Sequence, residues 1–130
     1  MRFPQVPSHL SSLTINMEEV TRLNSNGARA WMVWVSGIPS TLPVYLEECP
    51  VIVIKSFSLI KGVFLPNMDV LSFYVPFCSD ETGERTNVLL EKGKHYFEDG
   101  NVKLPTITDA KGEPMEIDVI AEAYFSFLKR

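Results

Sequence analysis

The sequence is poor in the residues that most often build metal sites and catalytic sites. Its 130 residues include only two cysteines and two histidines. Cys49 and Cys78 lie far apart and match no Cys-x-x-Cys pattern, so we interpret them as reduced, partly buried side chains of a cytoplasmic protein. A single disulfide between them is the alternative. The cysteine count gives no sign of a small secreted scaffold held together by disulfides.

An excess of positive charge is also lacking. The chain has 12 basic and 16 acidic residues, a formal net charge of −4. Up to Leu65 there are five basic and four acidic residues, whereas from Pro66 onward there are seven basic and twelve acidic ones. Neither part offers the basic surface that releases counterions from duplex DNA or RNA. We therefore do not expect a duplex nucleic acid as the partner.

Long apolar runs are absent, and so is a secretory signal. No stretch approaches the roughly 20 apolar residues that a membrane-spanning helix needs. The N-terminal sequence MRFPQVPSHL carries Pro4 and Pro7 and has no apolar core, unlike a signal peptide. We expect no membrane partner and a cytoplasmic location, with residues 1–12 forming a tail that is extended or strapped across a neighbour.

Motifs for catalysis and cofactor binding are missing as well. The sequence has no Gly-rich phosphate loop, no dinucleotide-binding fingerprint, no nucleophile elbow and no HExxH helix. Cys78 with His95 is the least implausible pair of nucleophile and base, but nothing orients that base. The acidic loop around Gly83 lacks the spaced ligands of an EF-hand. We expect no enzyme activity, no cofactor and no metal site.

What the sequence does have is an apolar pattern whose period is mostly two. This pattern predicts a mainly β protein, built as a small antiparallel two-layer sandwich or barrel in one domain of residues 1–130, with a possible seam near 59–67. Asn26-Gly27, Asp99-Gly100 and the DAKG sequence around Gly112 are the main turn signals. The predicted strands are residues 13–17, 28–35, 43–46, 51–57, 62–65, 70–77, 87–91, 102–108 and 115 onward.

The C-terminal segment fits two structures. From Met115 the apolar residues alternate as in a half-buried strand, which we favour. The same residues also fall on one side of a helix, with Pro114 at its first turn. One short C-terminal helix in an α+β fold is therefore the alternative. A second possible helix, residues 17–24, is short and weak.

The segment ARAWMVWVSG, residues 28–37, is apolar on both faces if it is a strand. One face carries Trp31, Val33 and Val35, and the other carries Met32 and Trp34. The segment VIVIKSFSLI at residues 51–60 is similar. Two such strands have more apolar surface than a small single-layer sheet buries, so the surplus is either core between two layers or a contact surface. We predict Trp31, Met32 and Trp34 as residues that bind a protein partner or a second copy of the chain.

Residues 71–103, in part SFYVPFCSDETGERTNVLLEKGKHYF, resemble the middle strands of an OB-fold. The resemblance covers about a quarter of the chain. It implies a curved barrel that stacks single-stranded bases on aromatic side chains beside a basic groove. The residues that it implicates are Phe73, Phe77, Lys92, Lys94, Tyr96 and Phe97. The acidic excess of this part of the chain argues against that function.

The sequence thus predicts a non-enzymatic β-rich module that binds another protein or assembles with itself as a homo-oligomer. A single-stranded nucleic-acid binder is one alternative function. A structural subunit of a phage or virion assembly is another. A small thiol or hydrolytic enzyme is the least favoured.

Overall fold

A computed structural model describes residues 10–129 of the chain. The predicted tail of residues 1–12 therefore lies mostly outside the described residues. Within them, strands and helices alternate in the first half, strands follow, and short helices end the chain. The strands are β1 (Leu13–Asn16), β2 (Val44–Glu47), β3 (Met68–Val70), β4 (Ser72–Cys78), β5 (Arg85–Glu91) and β6 (Glu116–Ile117). The helices are α1 (Ser25–Ser36), α2 (Val51–Leu59), α3 (Ala121–Tyr124) and a 3₁₀ helix (Ser126–Lys129).

The first three strands form a parallel sheet in the order β1-β2-β3. Parallel neighbours need long crossover connections, and α1 and α2 supply them. Right-handed crossovers place both helices on the same face of the sheet. The burial pattern agrees, because Val44 and Leu46 are buried on one face while Tyr45 and Glu47 on the other are half-buried. The uncovered face of this sheet is therefore polar.

The remaining strands form an antiparallel sheet in the order β5-β4-β6. Only Leu71 separates β3 from β4 along the chain. Just beyond β2, Cys49 forms a bridge with Phe73, so the two sheets meet where β2 ends. The antiparallel sheet therefore continues the layer of the parallel sheet, which α1 and α2 cover.

Phe73 lies at the centre of the core. Its side chain is fully buried, and its ring centroid is 5.1 Å from those of Tyr96 and Phe127. Tyr124 and Phe125 pack on the same ring at 6.3 and 6.1 Å. Because these partners come from the loop after β5 and from the C-terminal helices, this aromatic cluster fixes both segments against β4.

The prediction of a mainly β sandwich or barrel is wrong, and residues 28–35 show why. They form most of α1, whose buried residues Ala28, Trp31 and Val35 have helical spacing. The side chain of Asn24 accepts the N–H of Gly27 at 2.8 Å, which is a helix N-cap. Asn26-Gly27, predicted as a turn, instead lies in the first turn of α1.

Residues 51–57 are also helical, in α2. Pro50 precedes the helix. The N–H groups at the start of a helix have no partners within it, and proline suits this position because it has no backbone N–H. Val53 and Ile54 are buried on the sheet side. Residues 28–37 and 51–60, which looked like strands with two apolar faces, are thus helices with broad buried faces. The surplus of apolar sheet surface that they predicted therefore does not exist.

Several smaller predictions are settled by the same structure. The strands predicted at 13–17, 43–46, 70–77 and 87–91 are confirmed, apart from the break at Leu71. Residues 62–65 and 17–24 form neither a strand nor a helix, and 102–108 contributes only isolated bridges. The segment from 115 is a strand for two residues and a short helix after that, so each alternative is right in part.

Candidate functional site

A cleft of about 580 Å³, here called the β1 cleft, lies between β1, α1 and α2. Its volume is within the range of ordinary ligand pockets. Residues 13–17 form one wall. The other walls are mostly apolar and include Val20, Leu23, Trp31, Trp34, Val53, Phe57 and Val63.

The β1 cleft runs along the edge of β1. Side chains of successive strand residues point to opposite faces, so a cavity beneath one face touches every second residue. All five residues from 13 to 17 line this cleft, including Thr14 and Asn16, which are exposed. A ligand in the cleft therefore also meets the backbone of the strand.

The backbone of β1 has one edge directed away from β2. The N–H of Leu13 donates to the carbonyl of Pro43, and the N–H of Met17 donates to the carbonyl of Glu47, both at 2.9 Å. In a parallel ladder alternate residues point their N–H and C=O groups to opposite sides. Those of Thr14 and Asn16 therefore point outward. Within residues 10–129, β1 pairs with β2 alone.

The two tryptophans occupy the wall formed by α1. Trp31 is 6% exposed, and its indole N–H donates to the carbonyl of Val63 at 2.8 Å. Trp34 is half-buried, and the two ring centroids are 5.7 Å apart. Of the three residues predicted to bind a partner, the structure brings Trp31 and Trp34 together. Met32 lies outside the cleft lining, facing Gly62.

A pair of carboxylates lies beside the cleft, where β1 and β2 end. Asn16 donates its side-chain N–H to Glu48 at 2.8 Å, and the carboxyl group of Glu18 lies near the same carboxylate. Hydrogen bonding of the protonated form to Glu48, together with the charge of Glu48, raises the pKa of Glu18 above its usual value. The backbone of Glu48 has a φ of 51°, and its N–H donates to the hydroxyl of Ser72 at 2.7 Å. This left-handed conformation carries strain in a residue with a side chain.

Replacing Glu18 by glutamine should stabilise the fold at neutral pH. A raised carboxyl pKa means that the folded protein disfavours the charged form. The charged pair therefore lowers the free energy of unfolding at pH values above that pKa. The amide supplies an N–H donor for Glu48 and removes the repulsion. The gain should shrink as the pH falls to about 4, near the unfolded pKa of glutamate, because protonation then relieves the native pair. Urea unfolding at pH 7 and pH 4 measures this difference.

Glu81→Gln is the matched control, since Glu81 is exposed in the turn after β4. It removes the same charge without touching the pair, so its effect should be small. If Glu18→Gln is no more stable than the native chain at pH 7, the two carboxyl groups do not interact as described.

The residues implicated by the OB-fold resemblance do not form one surface. Phe73, Phe77 and Tyr96 are buried in the core. Lys92 pairs with Asp69 at 2.6 Å and with Glu98 at 2.7 Å, so its charge is balanced by two carboxylates. The others, Lys94 and Phe97, are exposed. The buried rings offer bases no stacking platform.

Cys78 and His95 lie at opposite ends of the hairpin formed by β4 and β5. Cys78 pairs with Arg85 at one end, whereas His95 accepts the N–H of Glu91 beyond the other. Six residue steps along a strand separate these ends by roughly 20 Å. Burial and nearby carboxylates raise the pKa of Cys78, which disfavours a reactive thiolate. This thiol and this imidazole therefore do not act as a catalytic pair.

Cys49 is buried as well, and desolvation raises the pKa of its thiol to about 12. Both cysteines are free thiols. Across residues 10–129 no group of three or more histidine, cysteine or carboxylate side chains is arranged to hold a metal ion. In the same part of the chain, no helix has the length and apolar character needed to cross a membrane.

Comparison with known proteins finds no match to a family model, to a curated protein sequence or to a solved structure. The geometry of the β1 cleft therefore carries the functional argument. Sequence reasoning missed the part of the cleft formed by β1 and α2, namely Thr14, Val53 and Phe57. Pro50, placed directly before the apolar run of α2, was the signal that could have revealed that wall.

Proposed function

We propose that this protein is a non-enzymatic protein-binding module whose site is the β1 cleft. The observation that carries the proposal is the combination of an apolar cavity along residues 13–17 and the outward-facing backbone groups of Thr14 and Asn16 in the same strand. Trp31 and Trp34 supply the aromatic wall of that cavity. The carboxylate of Glu19 also lines the cavity and belongs to the site's polar border.

The partner that fits is an extended segment with a bulky apolar side chain. Its backbone adds to β1 through the groups of Thr14 and Asn16, as in β-strand addition, and its side chain enters the cavity. Burying an aromatic side chain at the centre of such an interface contributes on the order of 2 to 4 kcal/mol. The backbone bonds supply register and the pocket supplies specificity. The two free thiols suit the reducing interior of a cell, so we place the module in the cytoplasm.

Self-association is the second candidate for the same site. Two copies of β1 related by a two-fold axis can pair edge to edge, so that both sheets continue through the dimer. Light scattering over a range of concentrations distinguishes the two cases. A mass of one chain throughout favours binding of a different protein, and a mass of two chains favours the homodimer.

Selection from a phage-displayed library of random nonapeptides tests the binding function. The full chain should enrich peptides that carry one bulky apolar residue flanked by residues of high β propensity. The enriched peptides should compete with one another for a single site. Enrichment of no sequence class, or of peptides that bind equally to a heat-unfolded sample, would contradict the proposal.

Replacing Thr14 by proline should weaken binding of a selected peptide about tenfold. Proline removes an outward N–H, which costs the peptide a backbone hydrogen bond of about 0.5 to 1.5 kcal/mol, and its ring obstructs the edge. The bonds from Leu13 and Met17 to β2 remain, so the fold should persist. Fluorescence anisotropy of labelled peptide measures the change.

Thr14→Val is the matched control, because it alters the same side chain and keeps the N–H. Its affinity should stay within about twofold of the native value. Equal loss in both variants would show that the peptide reads the side chain of Thr14 and does not pair with the strand.

A further inference from the structure

We propose that Glu19 makes the β1 cleft selective for partner segments that carry a lysine or arginine about two to four positions from the bulky apolar residue. This inference rests on the proposed function, because it names the partner chemistry of the same site. The cavity and the strand edge accept any extended apolar segment, whereas Glu19 distinguishes among such segments by their charge.

Glu19 is the charged group in the wall of the cleft. Among the described residues that line the cavity, no other has an ionisable side chain. Glu19 is exposed, and none of the ion pairs within residues 10–129 includes it. Arg22, three residues further on, is exposed and takes part in none of those ion pairs either. The charge of Glu19 is therefore not neutralised by a basic neighbour in the described part of the chain.

Negative charge is concentrated around Glu19. The N–H of Val20 donates to the carbonyl of Met17 at 3.0 Å, which places Glu18 and Glu19 at the tip of the turn that ends β1. Glu48 first, and Glu19 after it, raise the pKa of Glu18, so the three carboxyl groups influence one another. A cation bound at Glu19 is therefore attracted by its neighbours as well, and an anion there is repelled.

The order of the elements sets the spacing between the two anchors. Helix α1 returns the chain from the end of β1 to the start of β2, so it runs antiparallel to β1. Gly27, in its first turn, therefore lies at the Glu19 end of the cleft, and Trp34 lies nearer the other end. Residues 27–34 of a helix span about 10 Å, the length of about three residues of an extended strand. Side chains on one face of a strand alternate, so a basic residue about two or four positions from the apolar anchor reaches Glu19.

Parallel library selections test the charge preference. The native chain should enrich random nonapeptides with lysine or arginine about two to four positions from the bulky apolar residue. Glu19→Lys should instead enrich aspartate or glutamate at those positions, because like charges placed together are rejected. Circular dichroism checks that the variant is folded. An identical charge preference for both chains, or none for the native chain, would overturn the inference.

Glu81→Lys is the matched control for net charge. It makes the same change at an exposed position in the turn after β4, away from the cleft lining. This variant should keep the preference for lysine and arginine. Loss of that preference in Glu81→Lys would mean that the peptides respond to the total charge of the chain, which would also overturn the inference.

A double-mutant cycle measures the contact itself. Glu19→Gln should weaken a selected basic nonapeptide about threefold, which is typical of an exposed ion pair. The same peptide with its basic residue replaced by glutamine should bind native chain and Glu19→Gln with equal affinity. Fluorescence anisotropy measures the four affinities, and the threefold difference should shrink in about 0.5 M salt. An equal effect of Glu19→Gln on both peptides would refute recognition of the basic residue by Glu19.

The inference and the proposed function fail in different ways. If the selected peptides show no charge preference but Thr14→Pro still weakens them, the chain binds peptides along β1 and the role of Glu19 is refuted. If the library enriches no sequence class at all, the proposed function fails and the inference fails with it.

Discussion

Trp31→Ala should lower the free energy of unfolding by about 3 to 5 kcal/mol, the range for truncating a buried aromatic side chain. Trp31, on α1, is 6% exposed and packs in the core beside the loop that contains Val63. Alanine leaves a void beside the cleft and removes the donor that the carbonyl of Val63 accepts. Since a domain of this size has a total stability of about 5 to 15 kcal/mol, this loss is at least about a fifth of the total. Urea unfolding followed by circular dichroism measures the loss.

Two further variants separate packing from hydrogen bonding. Trp31→Phe keeps most of the apolar volume and loses only the indole donor, so its cost should be about 1 to 3 kcal/mol. Arg29→Ala changes an exposed residue of the same helix and should cost little. A loss below about 1 kcal/mol for Trp31→Ala would mean that this indole is not part of the core.

Trp34→Ala should have its main effect on binding. Trp34 is half-buried and lines the β1 cleft, so its removal should cost stability only about 1 to 2 kcal/mol. A tryptophan at the centre of an interface contributes at least about 2 kcal/mol, which corresponds to roughly a 30-fold loss of affinity for a selected nonapeptide. Isothermal titration calorimetry measures this loss below the unfolding range of the variant.

Val33→Ala is the control on the same helix. Val33 is 68% exposed and does not line the cleft, so its affinity should remain within about twofold of the native value. If Val33→Ala and Trp34→Ala weaken binding equally, the peptide contacts the outer face of α1, and the β1 cleft is not the site.

The strands were predicted well where burial alternates. In β4, Phe73, Val75 and Phe77 are buried, while Tyr74 and Pro76 between them are half-buried. That alternation is visible in the sequence as period two, and it gives the correct strand. β5 lies next to it as the second arm of a hairpin, so the local turn was enough to position it.

The helices α1 and α2 were not predicted, because a helix with a broad buried face also has apolar residues at consecutive positions. In α1, Trp31 and Val35 are buried and Trp34 and Met32 are half-buried, so both odd and even positions look apolar. Period alone cannot separate this pattern from a strand buried on both faces. The cap at Asn24 and the proline before α2 were the local signals that favour helices. With these helices, the β-α-β-α-β order implies the parallel sheet.

The candidate site was predicted in part. The prominence of Trp31 and Trp34 is a property of one short segment, so sequence reasoning singled them out. The cleft itself depends on contacts among β1, α1 and α2, which bring Leu13 and Val63 to one cavity across fifty residues of chain. No local pattern encodes that juxtaposition. The outward backbone of Thr14 likewise follows only from the order of strands in the folded sheet.

Backbone amide shifts, recorded by NMR while a selected nonapeptide is added to the full chain, test the central claim most directly. We predict that the largest changes fall on the amides of residues 13–17 and on the indole N–H of Trp34. Leu59 and Ile120 are the most exposed large apolar residues within positions 10–129, and they lie together beside α2 and α3. Changes confined to that region, with β1 unaffected, would contradict binding in the β1 cleft.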